Sequence, residues 1–288
     1  MEHILELQQV SKTFPKSDFM LDHVTFSLPY GSIMGFVGEN GAGKTTTIDC
    51  ILNTVAPNSG TIKLFGKEMS DSDGELREKI GVVYDGNNFP AYLTANQLAK
   101  VMEGLFATWD NSLFRKYLED FHLPPKQKIK NYSKGMTMKL AIAAALSHHP
   151  ELLILDEATS GLDPIMRDEM LDIFLDFVQE ENHSILLSSH ITSDLEKVAD
   201  YITFIHGGKL LMTASKNDLA YHYAVMRCKE NQFYALDPAD ILCFRKRDLW
   251  IDVLVPNAKD AQRKYKDAVI DHVSIDEIML LLIKGEKV

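Results

Sequence analysis

The stretch Gly38-Glu39-Asn40-Gly41-Ala42-Gly43-Lys44-Thr45 spaces its glycines, lysine and threonine as G-x-x-x-x-G-K-[ST], the P-loop pattern. Glycine lets the backbone approach an anion with no Cβ in the way. The loop N–H groups and the positive end of the following helix together make a phosphate site. Lys44 is placed to reach the β- and γ-phosphates of a nucleoside triphosphate, and Thr45 to offer a hydroxyl to Mg²⁺. Gly38 to Thr46 is therefore read as the nucleotide-binding stretch, Glu39, Asn40, Gly41, Ala42, Gly43 and Thr46 included. A second chemical feature lies downstream. The apolar run Leu152-Leu153-Ile154-Leu155 ends in Asp156-Glu157. Ligands of a parallel sheet sit at the carboxyl ends of its strands, so both acids are expected to face the glycine loop. Asp156 would hold Mg²⁺, directly or through water, and Glu157 would polarise a water for in-line attack on the γ-phosphate. Adjacent residues of one strand point opposite ways, so the strand end must bend to bring both acids to one ligand.

The elements that position these residues read as an α/β fold. Ile33-Met34-Gly35-Phe36-Val37 is a short apolar strand before the loop, and a helix pattern begins at Thr46. Ile4–Val10 and Phe19–Leu28 read as an antiparallel β-layer beside it, the second stretch as a strand pair, with Ser11–Lys16 a polar turn. Thr61–Phe65 and Ile80–Tyr84 are further strands. From Thr94 to about Asp120 the pattern is helical, opened by the capping box Thr94-Ala95-Asn96-Gln97. Ser133 can cap the next helix. Residues 86–150 thus form a helical insert in the α/β core. Pro164–Glu181 and Ser193–Ala199 read as helices, and Ser184–Ser188 and Tyr201–Ile205 as core strands. Gly207-Gly208 turns into a hairpin. The character changes near Ala214, and residues 214–288 read as a small α+β appendage without a catalytic constellation. There, Ala258–Val269 and Ser274–Lys284 are expected to be helical. A packing or dimer-stabilising part and a regulatory or partner role both stand open for it.

Tyr132-Ser133-Lys134-Gly135-Met136 opens a helix between the P-loop and the acidic strand. With it the chain resembles the ATP-binding subunits of ABC transporters, whose signature loop, ideally L-S-G-G-Q, sits at such a helix start. Ser133 and Gly135 match; Tyr132, Lys134 and Met136 depart. The resemblance implies that Ser133 and Gly135 bind the γ-phosphate of ATP held by a second copy, a helix N-terminus meeting an anion. Ser160-Gly161-Leu162-Asp163 resembles the D-loop, with Asp163 at the dimer seam. Ser188-Ser189-His190 resembles the switch region, with His190 hydrogen-bonding the γ-phosphate. Phe14 stands where the family places an aromatic that stacks on adenine; packing is the rival for it. One further departure is Asp85, where the family has a glutamine that touches Mg²⁺ and the attacking water. Aspartate can bind Mg²⁺ through water but cannot donate an amide hydrogen bond. The stretch Asp85-Gly86-Asn87-Asn88-Phe89 resembles a subgroup found with Gram-positive exporters of antimicrobial or surfactant-like peptides. The resemblance spans about residues 1–213. It implies an ATPase that uses ATP and Mg²⁺, dimerises head to tail with itself or a related chain, and drives a separate membrane permease through a groove near Asp85–Tyr92.

Composition bounds these expectations. At 288 residues with a net charge of −11, the chain does not present the basic surface of a nucleic-acid binder. Cys50, Cys228 and Cys243 have neither metal-type spacing nor an even count, which suggests a reducing compartment. Glu2, His3 and Glu6 interrupt the first apolar residues, so no signal-peptide pattern opens the sequence. No run reaches the roughly 18 apolar residues of a membrane span, so another chain must cross any membrane the protein serves; the resemblance implies a peripheral place on its cytoplasmic face. Two alternatives are a soluble ABC-type ATPase acting on ribosome or DNA, and a P-loop regulatory module with negligible hydrolysis.

Overall fold

The computed structural model describes residues 2–15, 17–69, 73–86 and 89–287. Lys16 of the expected turn and Asn87-Asn88 of the Asp85–Phe89 stretch lie outside the described residues.

The nucleotide-binding fold is the P-loop α/β type, built from two sheets and an inserted helical group. Strands β1 (His3–Thr13), β2 (Met20–Pro29), β4 (Ser59–Leu64) and β5 (Lys67–Glu68) form an antiparallel sheet in the order β2-β1-β4-β5. The expected turn at Ser11 is displaced. β1 continues because Lys12 and Thr13 pair with Leu21 and Met20, and Phe19–Leu28 yields one strand rather than a pair. The second sheet contains β3 (Ile33–Val37), β6 (Ile80–Val83), β7 (Leu152–Asp156), β8 (Ser184–Ser189), β9 (Tyr201–His206) and β10 (Lys209–Ser215). Its order is β10-β9-β3-β8-β7-β6, parallel throughout except for the β9–β10 hairpin.

The continuous apolar runs are explained by burial on both faces. Leu152 and Ile154 of β7 pack on one side with Phe36 and with Ile48 and Ile51 of α1 (Lys44–Ile51). Leu153 and Leu155 pack on the other. That second face is covered by α5 (Lys134–Leu146), α6 (Pro164–Phe177) and α7 (Thr192–Val198). The short α2 (Gly74–Glu78) precedes β6. Helices α3 (Ala95–Leu105) and α4 (Asn111–Asp120) pack on the opposite side of α5, through Leu98, Phe114 and Leu118 against Leu140 and Ala144. α5 thus presents apolar residues to both sides and ties the insert to the sheet. The helix expected over Thr94–Asp120 is two helices. Phe106 is extended, and Asp110 restarts the chain by accepting from Ser112 N and Leu113 N at 2.7 and 2.9 Å. The capping box of Thr94 and Gln97 is present.

In the tail, α8 (Lys216–Tyr221), α9 (Glu230–Phe233), α10 (Ala258–Lys264) and α11 (Ile275–Lys284) surround a four-stranded antiparallel sheet. Its strands are β11 (Ala224–Cys228), β12 (Cys243–Lys246), β13 (Ile251–Val255) and β14 (Val269–His272), ordered β12-β13-β11-β14. The helix expected to run to Val269 stops at Lys264, because Val269–His272 pairs with β11. One face of this sheet has its own core around Met226 and Val253. The other, with Val225, Cys243 and Leu254, is continuous with the core that covers the parallel sheet.

Candidate active site

All the loops that carry the chemical residues leave the same edge. In parallel register Val37 lies beside Ser189, and Asp156 beside Ser188. The turn after β3, the end of β7 and the end of β8 therefore converge without any long-range loop. Gly43 makes the convergence possible. It caps α1 at φ 114° and ψ 7°, and a Cβ there would lie 2.8 Å from Leu21 Cδ2. No L side chain accepts both constraints.

Lys44 is buried, and its Nζ donates to the carbonyls of Gly38 and Glu39 at 2.7 and 3.3 Å. It also stands 3.1 Å from Glu157 Oε1. That carboxylate oxygen is buried yet receives no hydrogen bond, so the Lys44 contact is an ion contact only. The other oxygen, Oε2, is held by His190 Nδ1 at 2.6 Å. A carboxylate can only accept, so Nδ1 carries the proton and the Nε2 edge of His190 faces away from Glu157. Glu157 sits at φ 54°, a left-handed conformation for a residue with a Cβ. This is the bend the acidic pair requires. It sends Asp156 one way, to accept from Thr45 Oγ1 at 2.7 Å and from Ser188 Oγ, while Glu157 turns to Lys44.

A cavity of about 260 Å³ lies over this cluster, lined by Phe19, Asn40, Gly41, Gly43, Lys44, Thr45, Thr46 and Glu157. A glycine-walled cavity at a helix N-terminus, with one buried ammonium, is a polyphosphate site. The comparisons agree with this geometry. A family profile described as ABC transporter matches residues 21–160. The bacitracin transport ATP-binding protein BcrA of Bacillus licheniformis is 38% identical over 213 residues, 73% of this chain and 69% of that protein. The chain belongs to the ABC transporter family, as an ATP-binding subunit. The lantibiotic transport ATP-binding protein SrtF of Streptococcus pyogenes is 35% identical over 211 residues, 73% of this chain and 90% of that one. A solved ATP-binding subunit of an ABC transporter superposes with a TM-score of 0.68 at 26% identity, covering 75% of this chain and 91% of that one.

The remaining family positions are placed as follows. Ser133 caps α5, its Oγ accepting from Met136 N at 3.2 Å. Gly135 packs under Met166 so closely that a Cβ would meet the sulfur at 2.2 Å. Asp163 caps α6 through Ile165 N and Met166 N, at 3.1 and 3.0 Å. None of these three lines the cavity of its own chain. Asp85 does not line it either; its carboxylate pairs with Lys134 Nζ at 3.1 Å. Phe14 is half-buried with Lys12 Nζ 5.4 Å from its ring centroid, and it is Phe19 that reaches the cavity wall. Sequence reading passed over Phe19. The available signal was position, since it is an aromatic immediately before β2, in the same loop as Phe14.

Proposed function

We propose that this ATP-binding subunit hydrolyses ATP with Mg²⁺ in a head-to-tail dimer and so drives a separate membrane permease, from a peripheral position on the cytoplasmic membrane face. The observation that carries the catalytic part is Glu157. It has one buried oxygen without a hydrogen-bond donor at the cavity wall and the other on His190. An acceptor left open beside a phosphate-binding ammonium is the arrangement needed to orient an attacking water. Lys44 would hold the β- and γ-phosphates on the loop from Gly38 to Thr46. The hydroxyl of Thr45 and the carboxylate of Asp156 are hard oxygen donors already 2.7 Å apart. They suit Mg²⁺, with Asp85 contributing through water, and that ion would neutralise charge on the phosphates. His190 would meet the γ-phosphate through Nε2. Ser133 and Gly135, which cannot serve the cavity of their own chain, would complete the site of the second copy, with Asp163 at the seam. Phe14, with Phe19 beside the cavity, would flank the adenine.

Among the described residues no helix is long and apolar enough to cross a membrane, which fits a permease supplied as a separate chain. Between the core and the helical insert, Leu52, Ile80, Val82, Tyr84 and Phe106 line a largely apolar cavity of about 360 Å³, which adjoins the expected Asp85–Tyr92 groove at Tyr84 but is lined by none of that groove's residues. It suits a short amphipathic helix of that permease. The named relatives transport bacitracin and lantibiotics, which supports peptides or other amphipathic compounds as the exported class. Action on ribosome or DNA is disfavoured by the net charge of −11.

The test is to solubilise membranes that contain the tagged chain, identify what co-purifies, and measure ATP hydrolysis of that complex with and without a peptide antibiotic. A stoichiometric polytopic partner and Mg²⁺-dependent, peptide-stimulated hydrolysis are expected. Recovery of the chain with ribosomes, or a complex without turnover, would overturn the proposal.

A further inference from the structure

The tail is joined to the active site through α7, the helix that begins two residues after His190. Thr192, the first residue of α7, is buried, and its hydroxyl donates to Asp276 Oδ1 in the first turn of α11 at 2.7 Å. The bond is returned from the other side. Glu196 of α7 accepts from the backbone N–H of Ile275 at 3.0 Å. Below these polar links Ile275, Ile278 and Leu281 of α11 pack in one apolar cluster with Leu195, Val198 and Ala199.

The N-terminus of α11 is itself fixed. Ser274 and Glu277 form a capping box. Glu277 is also gripped by Arg227 of β11 at 2.9 Å, and Arg227 pairs with Asp271 of β14 as well. On the far side of α7, buried Asp194 lies 3.8 Å from Arg167 Nε, and Arg167 donates to the D-loop carbonyl of Leu162 at 3.2 Å. One residue, Ile191, separates His190 from Thr192, and its N–H is held by Ser189 Oγ at 2.9 Å. The backbone that carries His190 is thus pinned at Ser189 by its own strand and at Thr192 by the tail.

We infer that Asp276 is a positioning residue for His190. Through Thr192 it fixes the first turn of α7, and so sets where the imidazole stands between Glu157 and an incoming γ-phosphate. A helix needed only to cover apolar surface would be served by Ile275, Ile278 and Leu281; the two reciprocal polar bonds between α7 and the start of α11 add direction. This role rests on the proposed contact of His190 with the γ-phosphate.

The test uses the full-length chain and its own Mg²⁺-ATP turnover. Thr192→Val and Asp276→Ala each remove one end of the bond, while Thr192→Ser keeps the hydroxyl. Each removal is expected to lower kcat by about three- to tenfold, the range one such hydrogen bond commands, with KM little changed, while Tm falls by a few degrees at most because Thr192 is buried but Asp276 is exposed. The double variant should be no worse than the poorer single one, and Thr192→Ser should keep most of the parental kcat. A lowered Tm with parental kcat in Thr192→Val and Asp276→Ala alike would assign the contact to packing and overturn the inference. His190→Ala is measured alongside. If it retains parental turnover, the reading of His190 itself has failed; if it is inactive while Asp276→Ala is at parental kcat, the positioning role alone has failed.

Discussion

Glu157→Gln tests the arrangement most directly, because in this structure Glu157 occupies the ammonium that ATP must use. Lys44 Nζ and Glu157 Oε1 are 3.1 Å apart, with side chains 6% and 13% exposed. At that separation two unit charges attract by about 5 kcal/mol at an effective dielectric constant of ~20. Desolvation of both groups takes back most of this, leaving a net coupling of about 1–2 kcal/mol. A triphosphate that enters must displace the carboxylate and forgo that coupling. Glutamine has nearly the same shape but no charge, so the competition disappears, and ATP should bind roughly 5- to 30-fold more tightly. The same substitution removes the acceptor for the attacking water, and turnover should fall by about 10²–10⁴-fold, the usual contribution of a general base. Titration with a fluorescent ATP analogue reads the first effect and phosphate release the second. Parental turnover would remove Glu157 as the base. Unchanged affinity with abolished turnover would leave the base in place but refute the competition for Lys44.

Asp156→Asn is expected to close the gap between the Kd for ATP measured with Mg²⁺ and that measured with EDTA, since it weakens the oxygen pair with Thr45; a gap of parental size would exclude the pair as the metal site. Asp85→Gln removes the pair with Lys134. Both side chains are half-exposed, so Tm should move by no more than about 3 °C, and a change in the Mg²⁺ dependence of turnover would then belong to the site; identical Mg²⁺ curves would take Asp85 out of it. His148 is buried, stacks on Phe106 and bonds to the Glu78 carbonyl at 2.9 Å. Burial pushes its pKa below the usual histidine value despite that bond. The unfolded chain then binds the extra proton first, so this contribution to stability is complete above about pH 6.5 and is lost as pH falls from there towards the folded pKa. Urea midpoints at pH 7.5 and 5.5 should show a smaller acid-side loss in His148→Gln than in the parent; equal losses would show that His148 has no part in it.

Much of the site could be read in the sequence because its chemistry is local. The P-loop and its flanking strand and helix are contiguous, and the acidic pair closes an apolar run whose burial on both faces is itself a sequence pattern. Even the bend at Glu157 follows from two adjacent acids having one ligand. What could not be read depends on pairing between distant segments. The helical pattern from Ala258 runs on to Val269, yet Val269–His272 becomes a strand because β11 offers it an open edge. Lys12 and Thr13 look like a turn but are drawn into β1 by Leu21 and Met20. Phe19 and Phe14 are equally aromatic, and only the packing of the loop on Gly43 brings Phe19 to the cavity. The tie between Thr192 and Asp276 spans 84 residues and leaves no local mark at either end.

The two departures from the family pattern meet in the same way. Asp85 stands where the family has an uncharged glutamine, and Lys134 where its signature has a glycine. Taken singly, each is awkward. A lone carboxylate beside a triphosphate repels it, and a lone ammonium at a helix N-terminus opposes the dipole. In the fold the stem of Lys134 lies across Gly161, where a Cβ would come within 2.9 Å of Nζ, and its ammonium reaches Asp85 at 3.1 Å. Together the pair adds no net charge to the junction of three loops. Because both groups are half in solvent, the pair contributes under about 1 kcal/mol, so either partner can leave the other for a phosphate or a metal-bound water at little cost. A stronger, buried pair would lock the helical insert to the sheet edge. A weak one joins the insert to the sheet edge without locking it there.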